Sequence, residues 1–495
     1  MCGLIGYVGE NAAFQMFAGL AFLQHRGQDS AGIAVMADEH AYVEKGFGIA
    51  EEAFSAEKLA NLSGNFGVGH VRYSTSGSAK VLSEIQPFYI NQPYGMILAH
   101  NGNLTNQQQL RQFLSQDASR HINSASDSEI LVNVLAAVAA ELARSEAFSP
   151  QLLFQAVKET QRHLQGAYSV VVLIVGYGLL AFRDPHGIRP LVYGNNGSDW
   201  LVASENAAFR PLGFTQWKDV APGEAIFIDQ QKKLHRQQCA DHVKHLPCMF
   251  EYIYLARPDS TLEGVSVYKA RLNMGRKLGE KIRREYSDLE IDCIVPVPDS
   301  GRVAALELAH SINIPYREAL VKNRHVGRTF ITAGQKIRTD SARKKLNVIE
   351  SEFRDKRVML VDDSIVRGTT GRQLVELARA AGAKQVYFAS AAPPVCYPNV
   401  YGIDISTRAE LLASTRSEAA IAAYLGADKV IYQSVEDLVA AVREENSALE
   451  DFEMCCFDGN YRVGEIDQDY LEALEKRRAP ERDNLAQGDL PFPLQ

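Results

Sequence analysis

The sequence predicts two domains of different fold class, a strand-rich α+β domain up to about residue 240 and an α/β domain after it. Three observations support this prediction. The first half is dominated by short runs rich in β-branched residues, with few helical runs between them. From about residue 290, buried-looking strands alternate with loops and helical runs, which is typical of a mostly parallel sheet. Finally, a chain of 495 residues is longer than one hydrophobic core usually organises.

The first half reads as short strands, among them CGLIGYVG, GVGHVRYS, GMILAHNG and WLVASE. Two segments, Ala12–Leu23 and Ser128–Arg144, repeat apolar residues at three- and four-residue steps and predict helices. The longest apolar stretch, AYSVVVLIVGYGLLAF, is interrupted by Gly-Tyr-Gly and rich in β-branched residues. It therefore predicts two strands and a turn rather than a membrane span.

In the second half, DCIVPVP, RVMLVDD and QVYFASA are predicted strands, and 371–381 is a predicted helix. The sequence becomes polar and proline-containing after about residue 465, which predicts a last helix and a loose tail. We therefore expect domains at 1–240 and 241–464, followed by a C-terminal helix and polar tail at 465–495.

Composition excludes several classes of function. The net charge of −8 argues against a general nucleic-acid-binding protein, because such domains are usually basic. The seven cysteines lack paired spacing, which favours reduced thiols over a disulfide framework. The Met-Cys-Gly start lacks the basic and apolar regions of a secretory signal. We expect a cytoplasmic protein without nucleic-acid or membrane partners.

A cysteine directly follows the initiator methionine. If Met1 is removed, Cys2 carries both a thiol with a pKa near 8.5 and an α-amine with a pKa of about 7.7–8.0. Such an amine is a suitable general base for its own thiol. Cys2 alone leaves open the simpler interpretation, a small residue at the start of an edge strand.

Four polar, glycine-rich segments follow Cys2: QHRGQDSAGIA, GHVRYSTSG, AHNGNLTN and SASDSEI. Each could be only a turn, but their order behind an N-terminal Cys-Gly resembles the glutamine amidotransferase domain of the N-terminal-nucleophile hydrolases. The resemblance covers residues 2–235 and implies a four-layer αββα sandwich. It implies that Cys2 attacks the glutamine amide and that Asn101 and the Gly102 N–H form the oxyanion hole. Arg72 would hold the α-carboxylate of glutamine and Asp127 its α-ammonium, with Arg26 as a further glutamine-binding residue.

The stretch RVMLVDDSIVRGTTGRQL places two adjacent carboxylates, Asp362 and Asp363, at the end of a predicted strand. Hydroxyls and glycine follow at a predicted helix N-terminus, where backbone N–H groups bind phosphate. A simple helix cap needs only one hydroxyl, and the GxxxxGK[ST] phosphate loop is absent from the sequence.

This stretch resembles the signature of type I phosphoribosyltransferases, over about residues 250–440. The resemblance implies that the acidic pair meets the ribose hydroxyls and Mg²⁺, while the following loop binds the 5′-phosphate. Ser300, in VPVPDSGRVAA, matches a position associated with the metal, so the implied metal site is Ser300, Asp362 and Asp363. The implied phosphoribosylpyrophosphate-binding residues are Tyr254, Lys322, Arg328, Asp362, Asp363, Ser364, Arg367, Gly368, Thr369 and Thr370.

Residues 322–345 contain nine cationic or potentially cationic side chains. A charge run is usually a solvated face, but beside a diphosphate pocket we expect a loop that closes over the leaving group and excludes water. These residues are Lys322, Arg324, His325, Arg328, Lys336, Arg338, Arg343, Lys344 and Lys345.

With EYIYLARPDSTLEG between them, the two halves together resemble the amidophosphoribosyltransferase family. The family implies glutamine and phosphoribosylpyrophosphate as substrates, purine nucleotides as feedback inhibitors and a homodimer or homotetramer. Two other interpretations fit the sequence less well. Amidotransferases that make glucosamine 6-phosphate or asparagine need a different second half, and a catalytically inactive sensor of phosphorylated ribose has no need of an amidase.

Some members of that family carry a [4Fe–4S] cluster and a propeptide, and four thiolates are needed to hold the cluster. Cys248 and Cys456 match two ligand positions, whereas Asn399 and Glu453 occupy the other two. The resemblance therefore implies the cluster-free branch without a propeptide, with Mg²⁺ as the only metal.

Overall fold

The computed structural model describes residues 2–73, 81–322, 346–405 and 407–476. Its first half contains two antiparallel sheets that pack face to face. The core between them is built from both sheets, with Leu4 and Val68 of one against Ile97 and Val171 of the other. The predicted αββα sandwich is confirmed.

The first sheet has seven strands in the order β11-β9-β10-β1-β4-β2-β3. They are β1 (Gly3–Val8), β2 (Ser30–Ala37), β3 (His40–Phe47), β4 (Phe66–Arg72), β9 (Val192–Asn195), β10 (Trp200–Ala203) and β11 (Lys218–Asp219). The second sheet has six strands in the order β13-β12-β8-β7-β6-β5. They are β5 (Phe88–Ile90), β6 (Met96–Leu104), β7 (Gly166–Ile174), β8 (Gly178–Arg183), β12 (Glu224–Asp229) and β13 (Leu234–Gln238).

Helices cover the outer faces of both sheets. The described helices of this half are α1 (Ala12–Leu23), α2 (Ala50–Ala53), α3 (Ala56–Ala60), α4 (Gln107–Gln112), α5 (Asp127–Leu142) and α6 (Pro150–His163). The predicted helix Ala12–Leu23 is confirmed, and α5 begins one residue before the predicted Ser128. The prediction of only two helical runs was wrong, because α6 was missed. The local sequence does indicate the start of this helix, because Ser149 caps it and Pro150 occupies its first turn.

The second half contains a four-stranded parallel sheet in the order β16-β19-β20-β21. The strands are β16 (Cys293–Pro296), β19 (Arg357–Asp362), β20 (Gln385–Ser390) and β21 (Lys429–Tyr432). Two hairpins accompany it, β14 (Thr261–Leu262) with β15 (Val265–Ser266), and β17 (Leu320–Lys322) with β18 (Leu346–Val348). The predicted parallel sheet is confirmed.

Helices lie on both faces of this sheet. The described ones are α7 (Val267–Glu285), α8 (Arg302–Ile312), α9 (Thr369–Ala380), α10 (Glu418–Leu425), α11 (Val435–Arg443) and α12 (Cys455–Asp458). On one face, Leu278 of α7 and Leu308 of α8 pack against Met359. On the other face, Leu374 of α9 packs against Leu360.

One hydrophobic core runs across both halves of the chain. It joins Ile5 and Leu20 of the first half to Phe250, Leu438 and Val463 of the second. The final described segment, 468–476, is helical and packs against the same core. Within the described ranges, no helix is long and apolar enough to span a membrane.

Candidate active site

Cys2 lies at the start of β1, in the middle of the seven-stranded sheet. Because Gly3 pairs with Val71 across the sheet, Cys2 lies beside Arg72 at the end of β4. The thiol is buried, and its Sγ lies 3.8 Å from the carbonyl oxygen of Tyr73. The Cys2 nitrogen donates to Oδ1 of Asn101 at 3.2 Å, which joins the two sheets at this point.

Asn101 has an unused hydrogen-bond donor beside Cys2. The side chain is fully buried on β6, and within the described part of the chain its Nδ2 has no acceptor. A buried donor without a partner is costly in a folded protein, so this amide is available to an oxygen that arrives with substrate. The neighbouring Gly102 has φ of +149°, and a Cβ there would lie 1.9 Å from the Ala167 carbonyl oxygen. Only glycine fits this position of the strand.

The predicted glutamine-binding side chains are Arg72, the last residue of β4, and Asp127, the first residue of α5. Arg72 is buried, and its Nη2 lies 3.1 Å from Oε2 of Glu84. Asp127 occupies the first turn of α5 and accepts a hydrogen bond from the Leu104 N–H at 3.1 Å. The fold thus places Arg72 next to Cys2 across the sheet and Asp127 at the end of the strand that carries Asn101. Their contacts with glutamine stay a prediction.

A buried histidine accompanies Asp127. The Nδ1 of His100 lies 3.1 Å from Ser128 Oγ and 3.9 Å from Asp127 Oδ2. Burial lowers the pKa of His100 despite the opposing effect of Asp127. At neutral pH the imidazole is therefore uncharged, and the negative charge of Asp127 is not cancelled by an ion pair with it.

Arg26, which is predicted to bind glutamine, forms ion pairs with two buried carboxylates. Its guanidinium is fully buried, with Nε 2.5 Å from Glu205 Oε1 and Nη2 2.9 Å from Glu251 Oε2. Burial alone would lower the pKa of Arg26, but the two carboxylates outweigh it and raise the pKa. Glu205 belongs to the first half and Glu251 to the second, so this side chain joins the halves. Its contact with glutamine stays a prediction, and the geometry favours a structural role for the guanidinium.

Glu205 also connects the ion pairs of Arg26 to the backbone and side chains of the second half. The second carboxylate oxygen of Glu205 accepts from the Ser260 hydroxyl at 2.5 Å and from the Arg257 N–H at 2.9 Å. Burial would raise the pKa of Glu205, but Arg26 and His25 hold it well below its ordinary value. Sequence reasoning missed Glu205 and Glu251, because single acidic residues far apart in the chain carry no local signal.

The acidic pair lies at the carboxyl end of β19, where Asp362 is the last residue of the strand. Asp363 is bound by the hydroxyls of Ser364, at 2.6 Å, and Ser300. Burial, together with the neighbouring Asp363, raises the pKa of Asp362. Burial also raises that of Asp363, although the hydrogen bonds from Ser300 and Ser364 oppose the shift. The structure thus brings together the three predicted metal-site residues.

Their chemistry fits Mg²⁺. This ion prefers oxygen donors and is usually held by one or two carboxylates, with substrate phosphates and water completing the shell. Two adjacent carboxylates and a hydroxyl meet that description. Within the described ranges, no group of three or more His, Cys, Asp or Glu side chains is arranged to hold a metal by itself.

Residues 364–370 are predicted to bind the 5′-phosphate, and we call them the phosphate loop. They lead directly into the first turn of α9. Gly368 precedes the helix with φ of +74°, and Thr369 and Thr370 occupy its first turn. The Nη2 of Arg367, beside this turn, lies 3.1 Å from Glu410 Oε2. Free N–H groups at the start of a helix attract phosphate, so the geometry suits the predicted 5′-phosphate site.

Two other predicted binding residues occupy open positions near this site. Lys322, at the end of β17, places Nζ 3.1 Å from Asp299 Oδ2. Tyr254 is 54% exposed. Arg328 and the rest of the cationic segment from 323 to 345 lie outside the described residues.

One cavity of about 710 Å³ is lined by residues of both halves. The first half contributes His25, Arg26, Gln28 and Tyr73, the last being the residue whose carbonyl contacts the Cys2 thiol. The second half contributes the acidic pair and the phosphate loop, together with Ser300, Tyr254 and 403–405. The cavity therefore extends from a residue in contact with the Cys2 thiol to the acidic pair.

Four residues at the cluster-ligand positions of some family members come together in the protein interior. They are Cys248, Asn399, Glu453 and Cys456. Cys248 bridges to Glu453 through its backbone, and Asn399 Nδ2 lies 3.4 Å from Glu453 Oε2 and 3.5 Å from Cys455 Sγ. Burial raises the pKa of Cys248 to about 12 and also raises that of Cys456. These thiols are therefore protonated at neutral pH.

Comparison with known proteins identifies both halves. Residues 70–211 match a family model for a glutamine amidotransferase domain, and residues 265–405 match one for a phosphoribosyl transferase domain. The amidophosphoribosyltransferases of Pasteurella multocida and Escherichia coli are each 49% identical to this chain over 485 residues, which is 97% of this chain and 96% of theirs. The Saccharomyces cerevisiae amidophosphoribosyltransferase is 43% identical over 97% of this chain and 95% of its own.

Solved structures agree with these relatives. The glutamine phosphoribosylpyrophosphate amidotransferase from B. subtilis, solved with ADP and GMP, superposes with a TM-score of 0.83 at 37% identity, over 94% of this chain and 98% of that one. A structure described as the allosteric regulatory enzyme of purine biosynthesis gives a TM-score of 0.84 at 36% identity, over 95% and 97%.

Proposed function

This chain belongs to the amidophosphoribosyltransferase family, and we propose that its two halves divide one glutamine-dependent reaction at the residues described above. The enzyme transfers nitrogen from glutamine to phosphoribosylpyrophosphate in purine biosynthesis. The first half releases ammonia from glutamine, and the second half joins that ammonia to the sugar.

In the first half, the Cys2 thiolate attacks the side-chain carbonyl carbon of glutamine. After removal of Met1, the α-amine of Cys2 takes the thiol proton and returns it to the leaving nitrogen, so ammonia departs and a thioester remains. Asn101 Nδ2 and the Gly102 N–H bind the developing oxyanion, and water then releases glutamate. The unused Nδ2 donor beside Cys2 supports this role.

In the second half, the lone pair of ammonia attacks C1 of the sugar, and the bond from C1 to the pyrophosphate oxygen breaks. The products are 5-phosphoribosylamine and pyrophosphate, with a proton lost from the attacking nitrogen. Asp362 and Asp363 orient the ribose hydroxyls, and the turn at Gly368–Thr370 binds the 5′-phosphate. Mg²⁺ held by Ser300 and the acidic pair would neutralise charge on the diphosphate.

The shared cavity is the observation that carries this proposal. A glutaminase and a phosphosugar site on separate surfaces would lose ammonia to solvent, whereas this cavity is lined by both halves and reaches Tyr73, whose carbonyl oxygen lies 3.8 Å from the Cys2 thiol. Tyr73 marks its glutaminase end and Asp363 its sugar end.

The decisive experiment supplies either glutamine or ammonium to the purified protein, with and without phosphoribosylpyrophosphate and Mg²⁺. We expect pyrophosphate release with either nitrogen donor and only in the presence of the sugar. A protein that binds phosphoribosylpyrophosphate but releases no pyrophosphate with either donor would be a sensor rather than an enzyme.

We also propose that the enzyme holds no iron–sulfur cluster. An amide and a carboxylate, Asn399 and Glu453, stand beside Cys248, where four thiolates would be required. Anaerobically purified protein should be colourless, without the absorbance near roughly 400 nm that clusters give. Stoichiometric iron and sulfide in a brown preparation would contradict this.

Three finer points complete the proposal. Purine nucleotides are expected to inhibit, since the related B. subtilis enzyme was solved with ADP and GMP. The protein is expected to act in the cytoplasm as a homodimer or homotetramer. Inhibition assays with ADP and GMP, and sedimentation at working concentration, test the first and the last.

A further inference from the structure

A segment of the second half rests directly on the strand that carries the oxyanion donors. Asn103, two residues after Asn101 on β6, donates from Nδ2 to the Val400 carbonyl oxygen at 2.8 Å. Gly402 approaches even more closely: a Cβ there would lie 2.8–2.9 Å from the C, Cα and O atoms of Gly102. We call residues 399–405 the junction segment.

The junction segment is held in shape by its own hydrogen bonds. Asn399 Oδ1 accepts from the N–H groups of Tyr401, at 2.8 Å, and Ile403, at 3.1 Å. The Asn399 N–H donates to the Ile405 carbonyl at 2.8 Å, which closes the loop. The Tyr401 hydroxyl donates to the Val463 carbonyl at 2.6 Å. These hydrogen bonds fix the backbone of the junction segment next to β6.

The far end of the junction segment reaches the sugar site. Ile403, Asp404 and Ile405 line the shared cavity. An Asp404 carboxylate oxygen lies 3.8 Å from Arg367 Nη2, beside the phosphate loop. One short loop therefore touches the oxyanion strand at one end and the phosphate loop at the other.

We propose that Asn103 and Gly402 are positioning residues for glutamine hydrolysis. Their contacts hold β6 where Asn101 Nδ2 and the Gly102 N–H can bind the oxyanion, so the second half completes the glutaminase site of the first. This inference rests on the proposed function. It assigns Asn103 and Gly402 no contact with substrate.

The physical reason is geometric. Oxyanion donors act only at about 2.7–3.1 Å from the charged oxygen, and a misplacement of about 1 Å can cost on the order of 100-fold in rate. Gly402 lies against the backbone of Gly102, so a methyl group there must displace either β6 or the junction segment. Loss of the Asn103 donor removes the bond that fixes the same strand from the side.

The experiment measures glutamine hydrolysis by Asn103→Ala and Gly402→Ala. Each variant has a matched control. Asn106→Ala removes a similar bond, from Nδ2 to the His163 carbonyl at 2.8 Å, within the first half. Gly426→Ala adds a methyl group at φ of +75°, where the nearest atom would lie 3.8 Å away.

We expect kcat for glutamine hydrolysis to fall about 10- to 100-fold in both test variants, because transition-state binding alone is lost. The KM for glutamine should stay within about threefold, and the controls should resemble the wild type. Synthesis from ammonium should be retained. Alkylation of Cys2 by iodoacetamide, followed by mass spectrometry, should proceed at the wild-type rate because it forms no oxyanion.

Several outcomes overturn the proposal. Wild-type kcat in Asn103→Ala does so, as does a rise in KM with kcat unchanged. Slowed alkylation of Cys2 would show general disorder of the site instead of lost positioning. If Gly402→Ala does not fold, Asn103→Ala decides alone. Wild-type protein that makes no phosphoribosylamine from ammonium would instead refute the proposed function.

Discussion

At the residue scale, Cys2 separates the two chemistries of the enzyme. We predict that Cys2→Ser abolishes synthesis with glutamine and retains synthesis with ammonium, because the acidic pair and phosphate loop need only free ammonia. The measurement is pyrophosphate release with each donor. Cys239→Ser, another buried thiol of the first half, is the control and should retain both activities. Loss of both activities in folded Cys2→Ser would contradict the division.

A second residue-scale prediction concerns stability. Asp219 Oδ1 accepts from the Glu263 N–H at 3.2 Å, while Arg183 Nη1 lies 2.8 Å from Glu263 Oε1. Burial and the Glu263 carboxylate raise the pKa of Asp219 to about 6, against the opposing effects of Arg183 and His245. The folded state therefore holds the proton more tightly than the unfolded chain does. The bound proton therefore contributes fully to the free energy of unfolding below pH about 4. This contribution is lost as pH rises through about 6.

Asp219→Asn should therefore raise the free energy of unfolding at pH 8 by on the order of 1–3 kcal/mol, and the gain should vanish below pH about 4. The asparagine keeps the acceptor for Glu263. Urea unfolding at both pH values measures the difference. Asp241→Asn is the control of opposite sign, because hydrogen bonds from Lys158 and Arg162 lower the pKa of that exposed carboxylate to about 2. Equal effects of the two substitutions would contradict the argument.

Local patterns were sufficient to single out residues that are neighbours in sequence, and their roles stay predictions. Asp362 and Asp363 follow a buried strand, and Asn101 and Gly102 form one short motif. Arg26 is different, because its partner Glu251 is 225 residues away. No sequence pattern near either residue predicts this pairing. Asn103 and Val400 are separated by 297 residues. Pairings of this kind depend on how the two halves dock, which no local periodicity encodes.

At the element scale, the turn into α9 is the proposed binding site for the 5′-phosphate of the sugar. Gly368 has φ of +74°, and a Cβ there would lie 2.5 Å from Leu412 Cδ2. Gly368→Ala should therefore raise the KM for phosphoribosylpyrophosphate about tenfold or more, since left-handed backbone costs an L-residue about 1–2 kcal/mol and the clash displaces the loop. Steady-state kinetics with ammonium as the nitrogen donor measure this KM.

The control for this substitution is Gly213→Ala. Gly213 has φ of +84°, and nothing lies within 4 Å of an added Cβ. It therefore introduces the same backbone strain without a clash and far from the phosphate turn. Similar changes in KM for both variants would show that strain, and not the phosphate turn, is responsible.

At the scale of the whole molecule, the two halves share one hydrophobic core. We predict that they unfold together in urea, because separating them exposes that core and breaks the buried ion pair between Arg26 and Glu251. Both tryptophans, Trp200 and Trp217, lie in the first half, so their fluorescence reports on it alone. Far-ultraviolet circular dichroism reports on both halves. Two separate midpoints would contradict a single cooperative unit.

The ion network of Arg26, Glu205 and Glu251 limits how such an enzyme can be rebuilt. A chimera that takes its amidotransferase half from one parent and its transferase half from another inherits Arg26 and Glu205 from the first, and Glu251 from the second. If the second parent lacks the acid, the buried guanidinium keeps Glu205 but loses one of its two carboxylate partners, whereas single exchanges at the exposed surface usually change stability little. Recombination and drift should therefore tolerate changes at these three positions only as matched sets.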